Sequence, residues 1–316
     1  MRTRPLGDVT PRELRELLAE ESAYWCGELL WDYSEVSSAV ASGIERRTLT
    51  GLVAIAGGIP VAYCYYILDG SRAIVGSLFA AAAHRGRGVE ESLLDAVLAE
   101  AQAGVSHDRV ECQTLFSTGP GADERFLRAG FASRRRHYLV RSLLAETPAP
   151  PPAECQLRTL RREDIPAAAE LIFESHRGSL DAALNFTYAT PAMCRNFVES
   201  LVLRAACGRF DAEASFVAET DDGMAGVLLA SHLSRSNGHI CQVSVAPGCQ
   251  ARGLGTLLVG SALVTFKRQG LKTASLSVTV DNARAHRLYT RLGFGVRKVF
   301  AAHAWARPPA RIALPA

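Results

Sequence analysis

The sequence predicts a mixed α/β (α+β) protein made of two similar domains in tandem. Its 316 residues exceed the size of one small domain and are enough for two hydrophobic cores. Four prolines between residues 148 and 152 predict a semi-rigid linker. On each side of it the same order recurs, with helices, apolar strands, a glycine-rich turn into a helix, another strand and a short helix ending in Gly-Phe. We therefore predict a duplicated domain, with an N-terminal copy at 1–146, a linker at 147–154 and a C-terminal copy at 155–316.

The C-terminal copy shows the element order most clearly. Asp164 and Thr190 are helix-capping residue types, and each is followed within two residues by a proline, which the first helical turn tolerates. Apolar residues repeating about every 3.6 positions predict an amphipathic helix after Gly253. The predicted order is a strand at 157–160, helices at 164–174 and 190–204, strands at 215–219, 224–232 and 239–245, a helix at 253–267, a strand at 275–280, a helix at 283–292 and a strand at 296–305.

Composition excludes several classes of protein. Apolar residues make up 48% of the chain, yet no apolar stretch approaches the roughly 20 residues of a membrane span. The first residues lack the apolar region of a secretory signal, so we expect a cytoplasmic protein with no membrane partner. The eight cysteines are scattered without a Cys-x-x-Cys pair, and they predict neither a disulfide framework nor a zinc site. We therefore expect no metal.

The net charge of +3 is shared unevenly. Residues 1–150 carry 16 Arg against 19 Asp and Glu, giving −3, and residues 151–316 carry 19 Lys and Arg against 13 Asp and Glu, giving +6. A basic second half suits an anionic ligand. The basic cluster at 134–137 has no aromatic interleaving, so we expect a solvated strand edge and no nucleic-acid partner.

A glycine-rich turn follows the predicted strand that ends at Val245. A turn of this kind opening a helix directs several free backbone N–H groups at one point, and the helix dipole adds partial positive charge there. Gly253 and Gly255 remove side chains that would hold a phosphate away, and Arg252 adds a formal charge. The turn predicts a pyrophosphate cradle, with a plain strand–helix turn as the structural alternative.

The form Gln-x-x-Gly-x-Gly in this position resembles motif A of the GNAT acetyltransferase superfamily. About 27 residues after Gly255 comes a segment similar to motif B of the same superfamily. That segment contains, in order, Asn282, Leu288, Tyr289, Gly293 and Phe294. The resemblance covers residues 155–305.

The resemblance implies a fold and a co-substrate. Each domain would be a mixed, mostly antiparallel twisted sheet flanked by helices, with a V-shaped split between its two central strands. In the C-terminal copy these strands are 239–245 and 275–280, and acetyl-CoA would lie between them. The resemblance further implies an acyltransferase that passes the acetyl group to an amine by direct attack on the thioester.

The resemblance also implies roles for individual residues. The backbone of Val243 and Val245 would bind the pantetheine arm and the acetyl carbonyl, Asn282 would bind the cofactor arm, and Tyr289 would protonate the leaving thiolate. The pyrophosphate would lie on the turn formed by Gln250, Ala251, Arg252, Gly253, Leu254, Gly255 and Thr256. His239 occupies the place where several members carry a glutamate base. We therefore expect His239 to be the general base, the alternative being a solvated strand start.

The N-terminal copy keeps only part of this pattern. Its turn, residues 83–88, retains two glycines, and counting glycines places Ala83 where the other copy has Gln250. Counting back from the closing Gly-Phe places Phe126 at the position of Tyr289 and Gly119 at that of Asn282. We predict that this copy does not catalyse the reaction, and either a structural role or residual acetyl-CoA binding remains open.

The sequence defines the acceptor of the acetyl group less well than the co-substrate. In the segment 175–188, Asp181 could hold a cationic amine and Tyr188 could line a pocket, or both could be solvated loop residues. A small-molecule amine and a peptide amine both remain possible acceptors. The tandem layout resembles mycothiol synthases, so acetylation of a thiol-sugar precursor is one alternative, and a non-catalytic acyl-CoA-binding module is another. Monomer and homodimer both stay open.

Overall fold

The computed structural model of the protein describes residues 2–116, 121–144 and 155–308. The predicted linker at 147–154, Gly119 and residues 309–316 lie outside the described residues. Over the described ranges, no helix is long and apolar enough to cross a membrane.

The described residues form the predicted strands and α-helices in the predicted order, with two short elements of the C-terminal copy, at 180–184 and 209–210, that were not predicted. In chain order they are β1 (Arg2–Pro5), α1 (Arg15–Leu29), α2 (Ser34–Glu45), β2 (Thr50–Ala56), β3 (Ile59–Asp69), β4 (Arg72–Ala80), α3 (Val89–Ala103), β5 (Arg109–Gln113), α4 (Gly121–Arg128), β6 (Ala132–Ser142), β7 (Gln156–Thr159), α5 (Ile165–His176), α6 (Leu180–Leu184), α7 (Pro191–Arg204), β8 (Arg209–Phe210), β9 (Phe216–Thr220), β10 (Gly223–His232), β11 (Asn237–Val245), α8 (Leu254–Arg268), β12 (Thr273–Thr279), α9 (Ala283–Arg291) and β13 (Gly295–Ala306).

The chain divides into two compact units. Unit 1 consists of residues 1–24, 33–134 and 300–316. Its strands β1 to β4 pair antiparallel in sequence order, and β4 pairs parallel with β5. The last residues of β13 pair antiparallel with β5. The core of unit 1 packs the sheet against residues of α1 and α2.

Unit 2 consists of residues 25–32 and 135–299. Its sheet order is β6-β12-β11-β10-β9-β7, with β11 and β12 parallel and the other pairs antiparallel. One face of the sheet packs on α8 and α9, and the other packs on α5 and α7. This mixed, mostly antiparallel sheet flanked by helices confirms the predicted fold class.

The compact units and the predicted sequence copies differ at two strands. Strand β6 lies mainly in unit 2, where it pairs with β12, and the end of β13 lies in unit 1. A strand from each sequence copy therefore completes the sheet of the other unit. The predicted domain boundaries at residues 146 and 155 are those of the repeat in the sequence, and they stay a prediction.

Two predicted helix caps behave differently. Thr190 Oγ1 accepts a hydrogen bond from the Met193 N–H at 3.2 Å, as a helix cap does. Asp164 instead accepts from the backbone N–H of Arg161 at 2.7 Å, so its carboxylate closes the turn before α5 rather than the first turn of the helix. Arg158 holds the same carboxylate through two hydrogen bonds. The start of α5 is therefore fixed by an ion pair as well as by a cap.

Candidate active site

The parallel pair β11–β12 opens part-way along its length. Backbone pairing in the described register joins Asn237–Ile240 to Thr273–Leu276. Beyond it, residues 241–245 and 277–279 line the two sides of a cavity of about 600 Å³. Pairing with β10 on the other side of β11 skips one residue at Cys241, which is a β-bulge. The two strands thus form the predicted V-shaped split.

Most predicted site residues lie on this cavity, which is built within unit 2. Among the described residues its lining includes neither Arg252, which is exposed, nor His239. The predicted residues that do line it are Val243, Val245, Gln250, Ala251, Gly253, Leu254, Gly255, Thr256, Asn282 and Tyr289.

The turn at the mouth of α8 has the conformation of an anion-binding nest. Gly253 precedes the helix in the left-handed region, with φ 84° and ψ −7°. Ala251 also lies there, with φ 65°, although that region costs an alanine about 1–2 kcal/mol. Residues Leu254 to Thr256 are the first of the helix, and their N–H groups have no helical acceptor. These N–H groups can therefore bind an anion at the cavity.

Gln250 fixes this turn and an arginine beside it. Its amide nitrogen donates to the Val245 carbonyl at 3.2 Å, and its amide oxygen accepts from Arg284 at 2.6 Å. Arg284 and Arg291, both on α9, line the cavity. These two cations were not predicted from sequence. Their seven-residue spacing, which places two residues on one face of a helix, was the available signal. Arg136 of β6, expected on a solvated strand edge, also lines the cavity.

Asn282 has a structural role as well as a place in the lining. Its Oδ1 accepts from the Ala285 N–H at 3.1 Å and caps α9. The amide nitrogen, which carries two donors, is the part that a ligand could use.

Tyr289 lies deep in the cavity on α9. Its side chain is buried, and burial, with the nearby Asp181 as a smaller cause, raises the pKa of its phenol. The phenol is therefore protonated at neutral pH and can donate a proton. The Tyr289 carbonyl accepts from the Phe294 N–H at 3.0 Å across the Gly293 turn, which fixes the end of α9.

The wall facing Tyr289 comes from α5, α6 and the turn after α6. Tyr188 donates to Gln242 Oε1 at 2.9 Å and stacks on His176, with ring centroids 4.0 Å apart. Asp181 accepts a hydrogen bond from Thr279. His176, Asp181 and Tyr188 all line the cavity, so they are wall residues rather than solvated loop residues.

His176 has the features of a neutral base. Its Nδ1 lies 2.9 Å from the Ile172 carbonyl oxygen, which can only accept, so Nδ1 carries the proton and Nε2 carries the lone pair. Burial lowers the pKa of the imidazole, so it is neutral at pH 7.

The structure does not support His239 as the general base. The side chain is 7% exposed, and its Nδ1 is hydrogen-bonded to Ser275 Oγ at 2.9 Å. Burial lowers its pKa to about 4, which makes it a weak base at neutral pH. Alternation along β11 correctly placed it beside Cys241, but that side of the strand start is covered by protein rather than open to the cavity.

The corresponding turn of unit 1 corrects the predicted alignment of the two copies. Gly88 precedes α3 with φ 84°, as Gly253 precedes α8. Arg85, not Ala83, is then the residue that corresponds to Gln250. The residue that corresponds to Gly255 is a glutamate. The alignment predicted from sequence pairs the glycines of the two turns and is therefore two residues out of register.

That glutamate fills the unit 1 turn from within. Glu90 Oε2 accepts a hydrogen bond from the Gly86 N–H at 3.1 Å. Gly86, with φ 67°, corresponds to Ala251. A carboxylate therefore occupies the anion-binding turn of unit 1.

The predicted match of Phe126 with Tyr289 agrees with the backbone geometry. The Phe126 carbonyl accepts from the Phe131 N–H at 3.0 Å, as the Tyr289 carbonyl accepts from Phe294. Unit 1 thus carries a phenyl ring where unit 2 carries a phenol. Gly119, the predicted match of Asn282, lies outside the described residues.

The sequence matches one protein family and several known relatives. Residues 185–294 match the acetyltransferase (GNAT) family. A mycothiol acetyltransferase of Actinosynnema mirum is 28% identical over 297 residues, which cover 88% of this chain and 94% of that protein.

Two solved structures share the fold. A GCN5-related N-acetyltransferase from Sphaerobacter thermophilus superposes with a TM-score of 0.69 at 19% identity, over 97% of this chain and 96% of that one. A tandem GNAT protein from the clavulanic acid biosynthesis pathway gives 0.61 at 16% identity, over 98% and 99%.

The fold, the split strands and the family match define the protein as a GNAT-type acetyltransferase, and thus an acyltransferase enzyme. Enzymes of this family generally use acetyl-CoA as co-substrate. The chain is a tandem GNAT protein that resembles mycothiol synthase.

Proposed function

We propose that unit 2 transfers the acetyl group of acetyl-CoA to a primary amine by direct attack, without a covalent enzyme intermediate. One observation carries this proposal. A single cavity joins an anion-binding turn to a buried phenol and a carboxylate, Tyr289 and Asp181. These are the parts needed to hold a nucleotide-linked thioester at one end and to bring an amine to it at the other.

The cofactor would lie along β11. The backbone of Val243 and Val245 would bind the pantetheine arm, and the Asn282 amide nitrogen would donate to it. The pyrophosphate would lie on the turn between Gln250 and Thr256, with Arg284 beside it. The exposed Arg252 side chain would act only as a charge near the mouth of the cavity.

The amine end uses the opposite wall. An amine arrives mainly as an ammonium ion, and the Asp181 carboxylate would attract and orient it. His176 Nε2 would accept one of its protons, since this imidazole is neutral, and the free amine would attack the thioester carbonyl. Backbone N–H groups of β11 would stabilise the oxyanion, and Tyr289 would protonate the thiolate as the C–S bond breaks. The resulting tyrosinate would take up the second proton of the former amine nitrogen as the amide forms, and His176 would release the first proton to solvent. In this proposal His176 replaces His239 as the base, and the transfer itself needs no metal.

The acceptor would be a small polar amine rather than a peptide. The wall formed by His176, Asp181 and Tyr188 is mostly polar, and Arg136 lines the same cavity, so the site suits a compact polar substrate whose amine is held by Asp181. Likeness to mycothiol acetyltransferases over most of the chain favours, as the more specific candidate, the amine of a thiol-sugar precursor.

The test is a CoA-release assay with the full chain and acetyl-CoA. The acceptor panel contains a cysteinyl amino-sugar, simple amino-sugars, polyamines and short peptides with free N-termini. We expect release with at least one small amine, and Asp181→Asn should raise KM for that amine much more than it lowers kcat. Asp222→Asn, in the exposed turn after β9, is the matched control.

The outcomes separate the alternatives. Release with peptides alone would reject the small-molecule acceptor and retain the transferase. Acetyl-CoA binding without release for any amine would favour the non-catalytic module and overturn the proposal.

A further inference from the structure

Three metal-ligating side chains meet within unit 2, outside the residues assigned to acetyl transfer. Cys207 follows α7, and His239 and Cys241 lie two residues apart on β11. The Sγ atoms and a ring nitrogen all lie within 4.8 Å of one another. This group was not predicted from sequence, because 33 residues separate Cys207 from Cys241 in the chain and no Cys-x-x-Cys pair marks it.

The spacing is close to what one ion requires. Three atoms at most 4.8 Å apart lie within about 2.8 Å of a common centre, and zinc bonds are about 2.3 Å to sulfur and 2.0–2.1 Å to nitrogen. From that upper limit, the sulfur atoms would move inward by about 0.5 Å and the ring nitrogen by about 0.7–0.8 Å to complete the site. Two thiolates and one imidazole form the ligand set that favours Zn²⁺ over Mg²⁺ or Ca²⁺.

Hydrogen bonds through Ser275 hold the His239 side chain in the tautomer that can bind a metal. Ser275 Oγ accepts from the Asn237 amide at 3.0 Å and donates to the Gly238 carbonyl at 3.3 Å. The hydroxyl proton of Ser275 is thus used, and the oxygen can only accept a hydrogen bond from His239 Nδ1–H, at 2.9 Å. This fixes the tautomer that leaves the lone pair on Nε2, and such outer partners commonly orient metal-bound histidines.

Hydrogen bonds also hold the side chains of Cys207 and Cys241. Ser231 Oγ lies 3.2 Å from Cys241 Sγ. The thiol of Cys207 is hydrogen-bonded to the Cys241 sulfur, so the two sulfur atoms already lie side by side. Next to Cys207, Gly208 has φ 75°, and a Cβ there would lie 2.4 Å from the His232 carbonyl oxygen. The loop that carries Cys207 therefore lies tightly against β10.

We propose that Cys207, His239 and Cys241 bind one Zn²⁺ ion, with a water molecule as fourth ligand. The ion ties the loop after α7 to the β-bulge of β11. Because Cys241 also lines the cavity, the ion sets the wall next to the thioester end without taking part in the transfer. This inference does not depend on the identity of the acceptor.

The test uses the full chain, reduced, stripped with a chelator and titrated with Co²⁺, which reports thiolate ligands by charge-transfer absorption in the near ultraviolet. We expect about one Co²⁺ per chain with this band, displaced by Zn²⁺. Cys207→Ser, His239→Gln and Cys241→Ser should each weaken binding by at least about 10²-fold, since losing an outer partner alone costs 10–100-fold. Cys26→Ser, which removes an exposed thiol, should leave binding unchanged.

Ser275→Ala supplies a second measurement that keeps all three ligands. It should weaken Co²⁺ binding by about 10–100-fold and keep the charge-transfer band. The proposal is wrong if the reduced wild-type chain gives no such band, or if the band survives Cys207→Ser and Cys241→Ser together. It is equally wrong if mapping of unreduced protein finds a Cys207–Cys241 disulfide and the reduced protein binds no Co²⁺.

Discussion

Replacing Gly255 with glutamate should abolish productive acetyl-CoA binding, and the protein contains its own precedent. At the corresponding position of unit 1, Glu90 accepts a hydrogen bond from the Gly86 N–H and fills the turn. In Gly255→Glu the new carboxylate should accept from the Ala251 N–H in the same way. The fold should tolerate the change, because the added Cβ meets only the flexible end of the Leu288 side chain, at 3.0 Å.

The expected loss of acetyl-CoA affinity has two contributions, a lost hydrogen bond and a new charge repulsion. A hydrogen bond between a backbone N–H and a charged oxygen contributes about 1.5–3 kcal/mol, and the pyrophosphate would lose at least one. A carboxylate about 4 Å from a phosphate charge adds about 4 kcal/mol of repulsion at an effective dielectric constant of 20, and less where solvent screens it. A total of at least about 3 kcal/mol corresponds to roughly 10²-fold weaker binding.

Calorimetric titration of acetyl-CoA into the full chain measures this effect. Gly255→Ala, which adds the Cβ without a charge, should stay within about threefold of wild type, and Gly255→Gln should fall between the two, because it keeps the bulk and loses the charge. The reciprocal change Glu90→Gly should leave turnover unchanged, because Phe126 cannot replace the phenol. Wild-type affinity in Gly255→Glu would refute the placement of the pyrophosphate on this turn.

Three further predictions concern catalysis and stability. Tyr289→Phe should lower kcat by on the order of 10²-fold with little change in acetyl-CoA affinity, and a kcat within about threefold of wild type would show that another group protonates the thiolate. His176 must be neutral to accept a proton, and burial lowers its pKa, so kcat/KM should fall as pH drops through a value below 6.5. His176→Gln should remove this limb of the pH–rate profile, and an unchanged limb would rule His176 out. The hydrogen bonds from Arg158 are the main cause that lowers the pKa of Asp164 in the folded protein. They stabilise the fold fully at pH values above the pKa of an unfolded aspartate, near 4. This stabilisation is lost as the pH falls through the lower pKa that Asp164 has in the folded protein. Asp164→Asn should therefore lower the free energy of unfolding by about 1–3 kcal/mol at pH 7 and by much less at pH 2, and denaturant melts that show the same loss at both pH values would contradict this reasoning.

The glycine-rich turn itself was predictable from sequence because it depends on local backbone geometry, and residues 250–256 do lie at the start of α8. Their role in binding the cofactor came from the resemblance to motif A and stays a prediction. The exception is Arg252, whose backbone belongs to the turn while its side chain is exposed. Its direction depends on the left-handed conformation of Ala251, which a non-glycine residue gives no reason to expect.

The amine end was much less predictable, because it is assembled from segments distant in sequence. From sequence, Asp181 and Tyr188 could equally be solvated loop residues. In the structure they line the same cavity as residues of β11 and α9. His176 gave no signal as the last residue of an amphipathic helix. His239 was assigned by its position on the strand, and alternation predicted its neighbours correctly. Alternation cannot predict whether that face is open, since Cys207 and Ser275 arrive there from other segments.

The two repeats show that the backbone of such a site can be kept while its side chains differ. Gly88 and Gly253 share the same left-handed conformation, and each unit keeps a parallel strand pair that joins only four residues on each strand. The sheet and the helix packing need this geometry whether or not a ligand binds. We predict that two side chains, Glu90 in the turn and Phe126 in place of the phenol, are enough to keep unit 1 from catalysing the transfer. A shared fold in both halves is therefore no guide to how many halves catalyse, and we expect the side chains at these two positions to decide it.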